Sequence, residues 1–139
     1  MTYESLADGG FATGTMRGSG GFMVYDETTS IVKNLYTLAR FYHHESCGQC
    51  SPCREGTGWM EKILHRILEG HGKPSDIDLL WDVQRKIEGN TICPLGDAAA
   101  WPVASAIRHF RAEFEEYINH PEKIKDVKHY YSVHQLQNA

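Results

Sequence analysis

The sequence predicts a mainly α-helical protein, a four-helix bundle preceded by a short glycine-rich and strand-like segment. Four stretches carry apolar residues at helical spacing, and short loops separate them. The 139 residues, 41% of them hydrophobic, are enough for one modest core and too few for two comfortable domains. We therefore expect a connector and strand over residues 1–25, a helical bundle over 26–118 and a tail over 119–139.

The N-terminal segment is rich in glycine as far as residue 21 and lacks a helical stripe, so it is predicted to be a loop. No G-x-G-x-x-G lies there between a strand and a helix, which favours a connector or hairpin over a phosphate site. Residues 22–25, Phe-Met-Val-Tyr, have the pattern of a short strand. One strand cannot form a sheet, so its neighbours are expected elsewhere in a larger protein.

The first two helices are placed by their apolar stripes and by their stop signals. Asp26 is expected to cap the first helix, which ends near the histidines at 43–44. Those histidines are expected to act as cations near a helix C-terminus rather than as metal ligands. The second helix is expected over residues 54–69, with a break at 70–74. The stripes of these helices are Ile31, Val32, Leu35, Tyr36, Leu38, Ala39, Tyr42, Trp59, Met60, Ile63, Leu64, Ile67 and Leu68.

The last two helices are placed in the same way. Ser75 is expected to cap the third, with Asp78 in a weak capping box, and Gly89 to end it. Asp97 is a plausible cap for the fourth, and Pro102 predicts a separate short turn or a kink near its start. Their stripes are Ile77, Leu80, Trp81, Val83, Gln84, Ile87, Ala104, Ile107, Phe110, Phe114, Tyr117 and Ile118. The tail is expected to lie against a partner or to be disordered.

The cysteines carry the strongest chemical signal. Cys47, Cys50 and Cys53 have C-x2-C-x2-C spacing, and Cys93, followed by Pro94, is the remaining one. Three closely spaced thiolates and a remote fourth are typical of a four-iron cluster. Structural zinc sites more often use two separated pairs, and disulfides suit secreted proteins, whereas this chain opens without an apolar signal segment. A cluster is therefore favoured, with zinc as the alternative.

Residues beside the cysteines are expected to tune such a cluster. Two predicted helices begin directly after ligands, so their positive N-terminal ends would face the sulfurs. Arg54 adds a fixed positive charge, or instead pairs with Glu55 or Glu61. The other candidates around the cluster are Ser46, Gly48, Gln49, Ser51 and Thr91. With all four cysteines used, no iron position is open, which indicates an electron relay rather than a hydratase or radical site.

Composition excludes some functions. The net charge is −4 and no Lys/Arg-rich run is present, so nucleic acid is not an expected partner. No apolar run is long enough to cross a bilayer, so direct membrane insertion is not expected. Free thiols indicate a reducing compartment, which we expect to be the cytoplasm.

Residues 45–58, ESCGQCSPCREGTG, and 91–102, TICPLGDAAAWP, closely resemble the C-terminal part of the NADH-oxidising, flavin-binding subunit of respiratory complex I, bacterial NADH:quinone oxidoreductase. The match runs from about residue 3 to about residue 114. The resemblance implies a helical bundle whose [4Fe-4S] cluster accepts single electrons from FMN reduced by NADH. It also implies that Cys47, Cys50, Cys53 and Cys93 are the ligands, and that Pro94 and Leu95 lie on the flavin side.

In that family the FMN and NADH sites lie in an N-terminal Rossmann-like domain, which this sequence lacks. The chain is therefore expected not to turn over alone and to work with a flavin domain or subunit and further iron–sulfur subunits, peripheral to the inner membrane. Residues 1–25 resemble the end of the family's ubiquitin-like domain. The chain is expected to be a natural or engineered piece of a longer protein, or a subunit of a split enzyme.

Three alternatives stay open at this point. The chain could serve as a diaphorase subunit of an NAD-linked hydrogenase or formate dehydrogenase, because related subunits have similar motifs. It could be a zinc-stabilised module that binds a partner without redox chemistry. It could also fold with empty thiols, since the apolar stripes supply a core that need not depend on metal.

Overall fold

The computed structural model describes residues 23–26 and 28–121. Its helices are α1 (Ile31–Glu45), α2 (Ser51–Leu68), α3 (Ser75–Ile87) and α4 (Leu95–Asn119). Short loops make successive helices antiparallel, α4 returns to pack on α1, and α2 also contacts α4 across the bundle. The predicted four-helix bundle is confirmed. The predicted N-terminal segment (1–25) and the predicted tail (119–139) lie largely outside the described residues.

The core forms where the four apolar stripes meet, and each fully buried Leu or Ile contributes about 1.5–3 kcal/mol. Two predicted stripe residues are exposed instead of buried, Trp59 at 52% and Phe110 at 45%. Gln84 is buried at 1% exposure, as its stripe position predicts. The buried core residues are Val32, Leu35, Tyr36, Ala39, Met60, Ile63, Leu64, Ile67, Leu68, Ile77, Leu80, Val83, Ile87, Ala99, Ala100, Val103, Ala106, Ile107 and Phe114.

The start of α1 is fixed by two oxygen acceptors. Ser30 is the N-cap, and its Oγ accepts from the N–H of Lys33 at 3.2 Å. Glu113 of α4 reaches the same turn, where Oε1 accepts from Ser30 Oγ at 2.6 Å and from the N–H of Val32 at 3.3 Å. Its Oε2 accepts from the N–H of Ile31 at 3.3 Å. This carboxylate therefore ties the first turn of α1 to the last turns of α4.

The segment before α1 differs from prediction. Asp26 is not the cap, because its Oδ1 accepts from the backbone N–H and hydroxyl of Thr28 and the hydroxyl of Thr29, which closes a turn before the helix. These hydrogen bonds hold the pKa of Asp26 below its usual value. Residues 23–25 are not in a strand, since no pairing strand lies within the described part of the chain, and residue 22 falls outside it.

The turn between α2 and α3 is organised by Asp76, which is 3% exposed. Its Oδ2 accepts from Arg66 Nε at 3.0 Å and from the N–H of Lys73 at 2.8 Å. The predicted Ser75 cap is wrong, because Ser75 is already the first residue of α3 and makes no capping bond. Asp78 forms no capping box either, as its Oδ1 accepts instead from Arg111 of α4.

Helix α4 is continuous from Leu95 through Pro102, so the predicted separate turn or kink there is wrong. Buried Ala99, Ala100 and Val103 around the proline pack into the core and keep the backbone helical. The break occurs instead at Phe110, whose φ of −129° and ψ of 26° are not helical. No helix within residues 23–26 and 28–121 is long and apolar enough to span a membrane.

Candidate metal centre

The fold brings all four cysteines to one end of the bundle, where α1 and α3 end and α2 and α4 begin. We call residues 46–54 and 88–97 the cysteine end. Residues 46–54 form a first arm with three cysteines, and residues 88–97 form a second arm with the fourth. The loop lengths and the antiparallel order of the helices therefore place the sequence-predicted ligands together.

The first arm is shaped by a tight turn between α1 and α2. Gly48 has a φ of 77°, a left-handed conformation that side chains rarely adopt. Cys50 is the N-cap of α2, and Pro52 lies in the first turn, where its missing N–H costs no helical bond. Cys53 therefore lies inside that turn and is buried, whereas Cys47 is exposed. The predicted start of this helix, at residue 54, is three residues late.

Close packing holds the two arms near each other. A Cβ at Gly56, one turn beyond the last cysteine of the first arm, would lie 2.6 Å from Ile87 Cγ1, so α2 and α3 approach as closely as they do because this residue has no side chain. Across the arms, the N–H of Ile92 donates to Cys50 Sγ at 3.5 Å. Cys93, the next residue, is exposed. Cys93 is therefore the residue next to Ile92, which contacts the first arm.

Two hydrogen bonds reach cysteine sulfurs. One is the bond from the N–H of Ile92 to Cys50 Sγ, and the other lies between Ser46 Oγ and Cys53 Sγ, which are 3.2 Å apart. The N–H of Gly48 in turn donates to Ser46 Oγ at 3.4 Å. Sequence reasoning included Ser46 and Gly48 but missed the N–H of Ile92. The sequence places Ile92 directly before Cys93, a predicted ligand, and this was the signal that could have identified it. The direction of its N–H, however, depends on how the two arms pack together. Hydrogen bonds to thiolate sulfur stabilise the reduced state of an iron–sulfur centre.

Arg54 forms the predicted ion pair with Glu55, and its role as a positive charge beside a cluster stays a prediction. Its Nη1 donates to Gly48 O at 2.9 Å, and its Nε to Glu55 Oε1 at 2.9 Å. The guanidinium braces the first arm while half of its side chain stays exposed. A cation beside a helix N-terminus is unfavourable unless an anion lies nearby. The first turn of α2 contains no acidic residue, and no side chain caps it. Glu55, the next residue along the helix, supplies the anion that balances Arg54.

The remaining candidates are less closely engaged. Thr91 Oγ1 donates to Cys93 O at 3.1 Å, so it holds the backbone of the second arm. Pro94 is exposed and precedes α4, and Leu95 is its half-buried first residue. Gln49 is exposed. Asp97 lies within the first turn of α4 instead of capping it.

The histidines at the end of α1 have the electrostatic surroundings that were predicted. His43 Nδ1 lies 2.5 Å from Glu61 Oε2 of α2, and its ring fills the space beside Gly58. His44 is exposed and lies 4.0 Å from Glu45 Oε1. On the same face, burial raises the pKa of Tyr36, and the charge of Glu61 adds to this rise.

The donor set fits a four-iron cluster. All four cysteines are free thiols, two exposed, one half-buried and one buried. Among residues 23–26 and 28–121, no three His, Cys, Asp or Glu side chains converge on a point where one ion could be held. A cluster is larger than one ion and takes each thiolate on a different iron, so its ligands stand around it rather than meet.

Residues 33–117 match the family described as NADH-ubiquinone oxidoreductase-F iron-sulfur binding region. The chain belongs to this family. Membership confirms the predicted resemblance and the predicted [4Fe-4S] cofactor of this region.

Two curated relatives, both NADH-quinone oxidoreductase subunits, show how much of a family protein the chain represents. The subunit of Rickettsia felis is 52% identical over 118 residues, 85% of this chain and 27% of that protein. The subunit of Rhizobium meliloti is 48% identical over 119 residues, 86% of this chain and 26% of that protein. The chain thus spans 27% or less of the length of these two relatives.

A solved structure gives a second comparison. The NAD+-reducing [NiFe]-hydrogenase in the H2-reduced state aligns with a TM-score of 0.66 and 34% identity. The alignment covers 69% of this chain and 16% of the hydrogenase chain. The same enzyme in its air-oxidised state aligns with the same TM-score over 17% of its chain. The iron–sulfur family fold therefore also occurs in a protein named as a hydrogenase.

Proposed function

We propose that Cys47, Cys50, Cys53 and Cys93 bind one [4Fe-4S] cluster that relays electrons within an NADH:quinone oxidoreductase. The observation that carries this proposal is the meeting of both cysteine arms at one end of the bundle, where the N–H of Ile92 contacts Cys50 Sγ. When bound, a [4Fe-4S] cluster supplies a one-electron carrier. Every cysteine of the chain is then a ligand, and no iron is left open for substrate.

The surrounding residues have separate tasks in this proposal. The N–H of Ile92 donates to Cys50 Sγ, and Ser46 Oγ lies 3.2 Å from Cys53 Sγ, to which it would donate once Cys53 is a thiolate ligand. Both hydrogen bonds would favour the more negative, reduced state. Arg54 holds Gly48 O and keeps a positive charge at the start of α2. Thr91 fixes the backbone of Cys93. Gln49, Pro94 and Leu95 form the outer edge of the site, with the last two on the side of the electron donor.

The rest of the enzyme lies outside this chain in the proposal. NADH would reduce FMN on a flavin-binding domain or subunit, and single electrons would reach the cysteine end from there. Further iron–sulfur subunits would accept them, and the complex would sit at the cytoplasmic face of the inner membrane. The chain alone is not expected to oxidise NADH, because its role is to hold the relay.

A second candidate function keeps the relay and changes the enzyme. The structural match to an NAD+-reducing [NiFe]-hydrogenase supports a diaphorase subunit that exchanges electrons with NAD. The higher identity to quinone oxidoreductase subunits, 52% against 34%, favours the first candidate. Co-purification from the source cells separates the two, because the partner subunits carry either nickel–iron or quinone-linked activity.

The test is an anaerobic absorption and EPR spectrum of the 139-residue chain, with iron, sulfide and zinc assays. We expect about four iron and four sulfide per chain and an EPR signal after dithionite reduction. About one zinc without sulfide would instead support a structural zinc module. Absence of all three after anaerobic reconstitution with iron and sulfide would contradict the proposed relay.

A further inference from the structure

The second arm is fastened to the first turn of α4 by a carboxylate. The N–H of Gly89 donates to Asp97 Oδ1 at 2.7 Å, a bond that joins the second residue after the end of α3 to the third residue of α4. Gly89 has a φ of 71°, so the chain reverses there. Cys93 lies between the two residues that this bond connects. Asp97 therefore closes a short loop, residues 89–97, that includes Cys93.

Two further contacts tighten the same loop. Thr91 Oγ1 donates to Cys93 O, and the Thr91 side chain packs so closely on Gly96 that a Cβ there would lie 2.6 Å from Thr91 Cγ2. Outside the loop, Trp101 Nε1 donates to Glu88 Oε1 at 2.8 Å. All three contacts use residues of this arm and of α4 alone. None of them involves the arm that carries the other three cysteines.

We propose that Asp97 is a positioning residue that holds the Cys93 arm in place before the cluster binds; this rests on the proposed function. Cys47, Cys50 and Cys53 come from one continuous turn, so they are brought together locally. Cys93 is far away in sequence, and its thiol must be held against the entropy of a free loop. A loop closed by the Asp97 carboxylate supplies that restraint within the protein itself.

The experiment compares three variants of the 139-residue chain with the unaltered protein. Asp97→Ala removes the acceptor, whereas Asp97→Asn keeps an oxygen for Gly89 and removes the charge. Asp26→Ala is the matched control, because this carboxylate also organises a turn but lies before α1, at the opposite end of the bundle. The readouts are amide exchange at Gly89 in cluster-free protein, iron and sulfide per chain after anaerobic reconstitution, and the EPR spectrum.

We expect amide exchange at Gly89 to be about tenfold or more faster in Asp97→Ala, as a charged hydrogen bond is lost. Iron content of that variant should fall to about half or less, with a changed or weakened EPR signal. Asp97→Asn should stay near the unaltered chain in both readouts, and Asp26→Ala should match it in cluster content. If Asp97→Ala does not fold, Thr91→Val tests the same arm. This change removes the hydroxyl that donates a hydrogen bond to Cys93 O and keeps the side-chain shape.

Three results would overturn the inference. Full cluster content in Asp97→Ala would show that Cys93 needs no such restraint. A loss in Asp97→Asn as large as in Asp97→Ala would assign the effect to helix charge rather than to the bond with Gly89. Failure of the unaltered chain to bind any cluster would overturn the proposed function first, and the inference with it. The unaltered chain thus separates the two failures.

Discussion

The two ends of the bundle treat their backbone polar groups differently. Away from the cysteines, Ser30 and Glu113 accept from the first N–H groups of α1, and Asp76 closes the turn before α3. At the cysteine end, α2 begins with Cys50 as its N-cap, without a capping side chain or an acidic residue in its first turn. The start of α1 is satisfied by side-chain oxygens of the chain, whereas the start of α2 has a cysteine in the place where a capping oxygen would normally lie.

The contrast teaches where stability and function are located. Oxygen acceptors at the helix starts of the first end stabilise the bundle by their own bonds. A helix start without a capping side chain, such as that of α2, is less stable by itself. We infer that the cysteine end gives up local stability for ligand binding, while the opposite end and the shared core hold the fold. Variants of Cys53, Asp76 and Ser46 test this difference between cluster binding at one end and stability at the other.

The largest effect is expected for Cys53→Ala. This thiol is buried within the first turn of α2, so no neighbouring side chain can replace it as a ligand. Iron and sulfide should fall to background after anaerobic reconstitution, whereas circular dichroism should still show a helical bundle. Lys62→Ala, an exposed change farther along the same helix, is the control and should keep its cluster. Unchanged iron in Cys53→Ala would remove this residue from the ligand set.

At the opposite end, Asp76→Ala should lower the free energy of unfolding by about 2–3 kcal/mol, since a buried carboxylate loses charged hydrogen bonds to Arg66 and Lys73. Urea unfolding of cluster-free protein measures this. Asp82→Ala in the same helix is the control, because its pair with Lys86 is exposed and should change stability by only about 0.5 kcal/mol or less. Folded Asp76→Ala should still bind its cluster; equal losses in the two variants would contradict the assigned role of Asp76.

The smallest effect is expected for Ser46→Ala. Loss of the hydroxyl that lies 3.2 Å from Cys53 Sγ removes one hydrogen bond that favours the reduced state. The midpoint potential should become more negative by about 20–60 mV, the one-electron equivalent of about 0.5–1.5 kcal/mol. A redox titration followed by EPR measures this, with Lys62→Ala again as control. A shift to more positive potential would show that Ser46 does not donate to the sulfur.

Sequence periodicity was sufficient to predict the helices, because each one buries a stripe that recurs locally along the chain. The four cysteines were equally visible, since their spacing is itself the signal. Contacts between residues that are distant in the sequence could not be predicted in this way. Glu113 reaches Ser30 across 83 positions, and Asp76 reaches back to Arg66 over a loop. Neither pair has a local pattern, because only the packing of the helices brings its members together.

The helix starts were predicted less well for a related reason. Asp26, Ser75 and Asp97 all have the right chemistry for a cap, yet none of them caps its helix. Asp26 bonds to its own turn, and Asp97 bonds to Gly89. A capping residue is selected by the direction in which the chain enters the helix, which tertiary packing decides. The break at Phe110 was missed for the same reason, since Pro102 carried the stronger local signal.

Gly56 has a bearing on the geometry of the whole site. Its contact with Ile87 lies one turn from Cys53 on one helix and just before the second arm on the other. The absence of a side chain at Gly56 therefore sets the distance between α2 and α3 beside the two cysteine arms. An added methyl group at position 56 would meet Ile87 Cγ1 and Cδ1, so either this buried side chain or the spacing of the two helices would have to change.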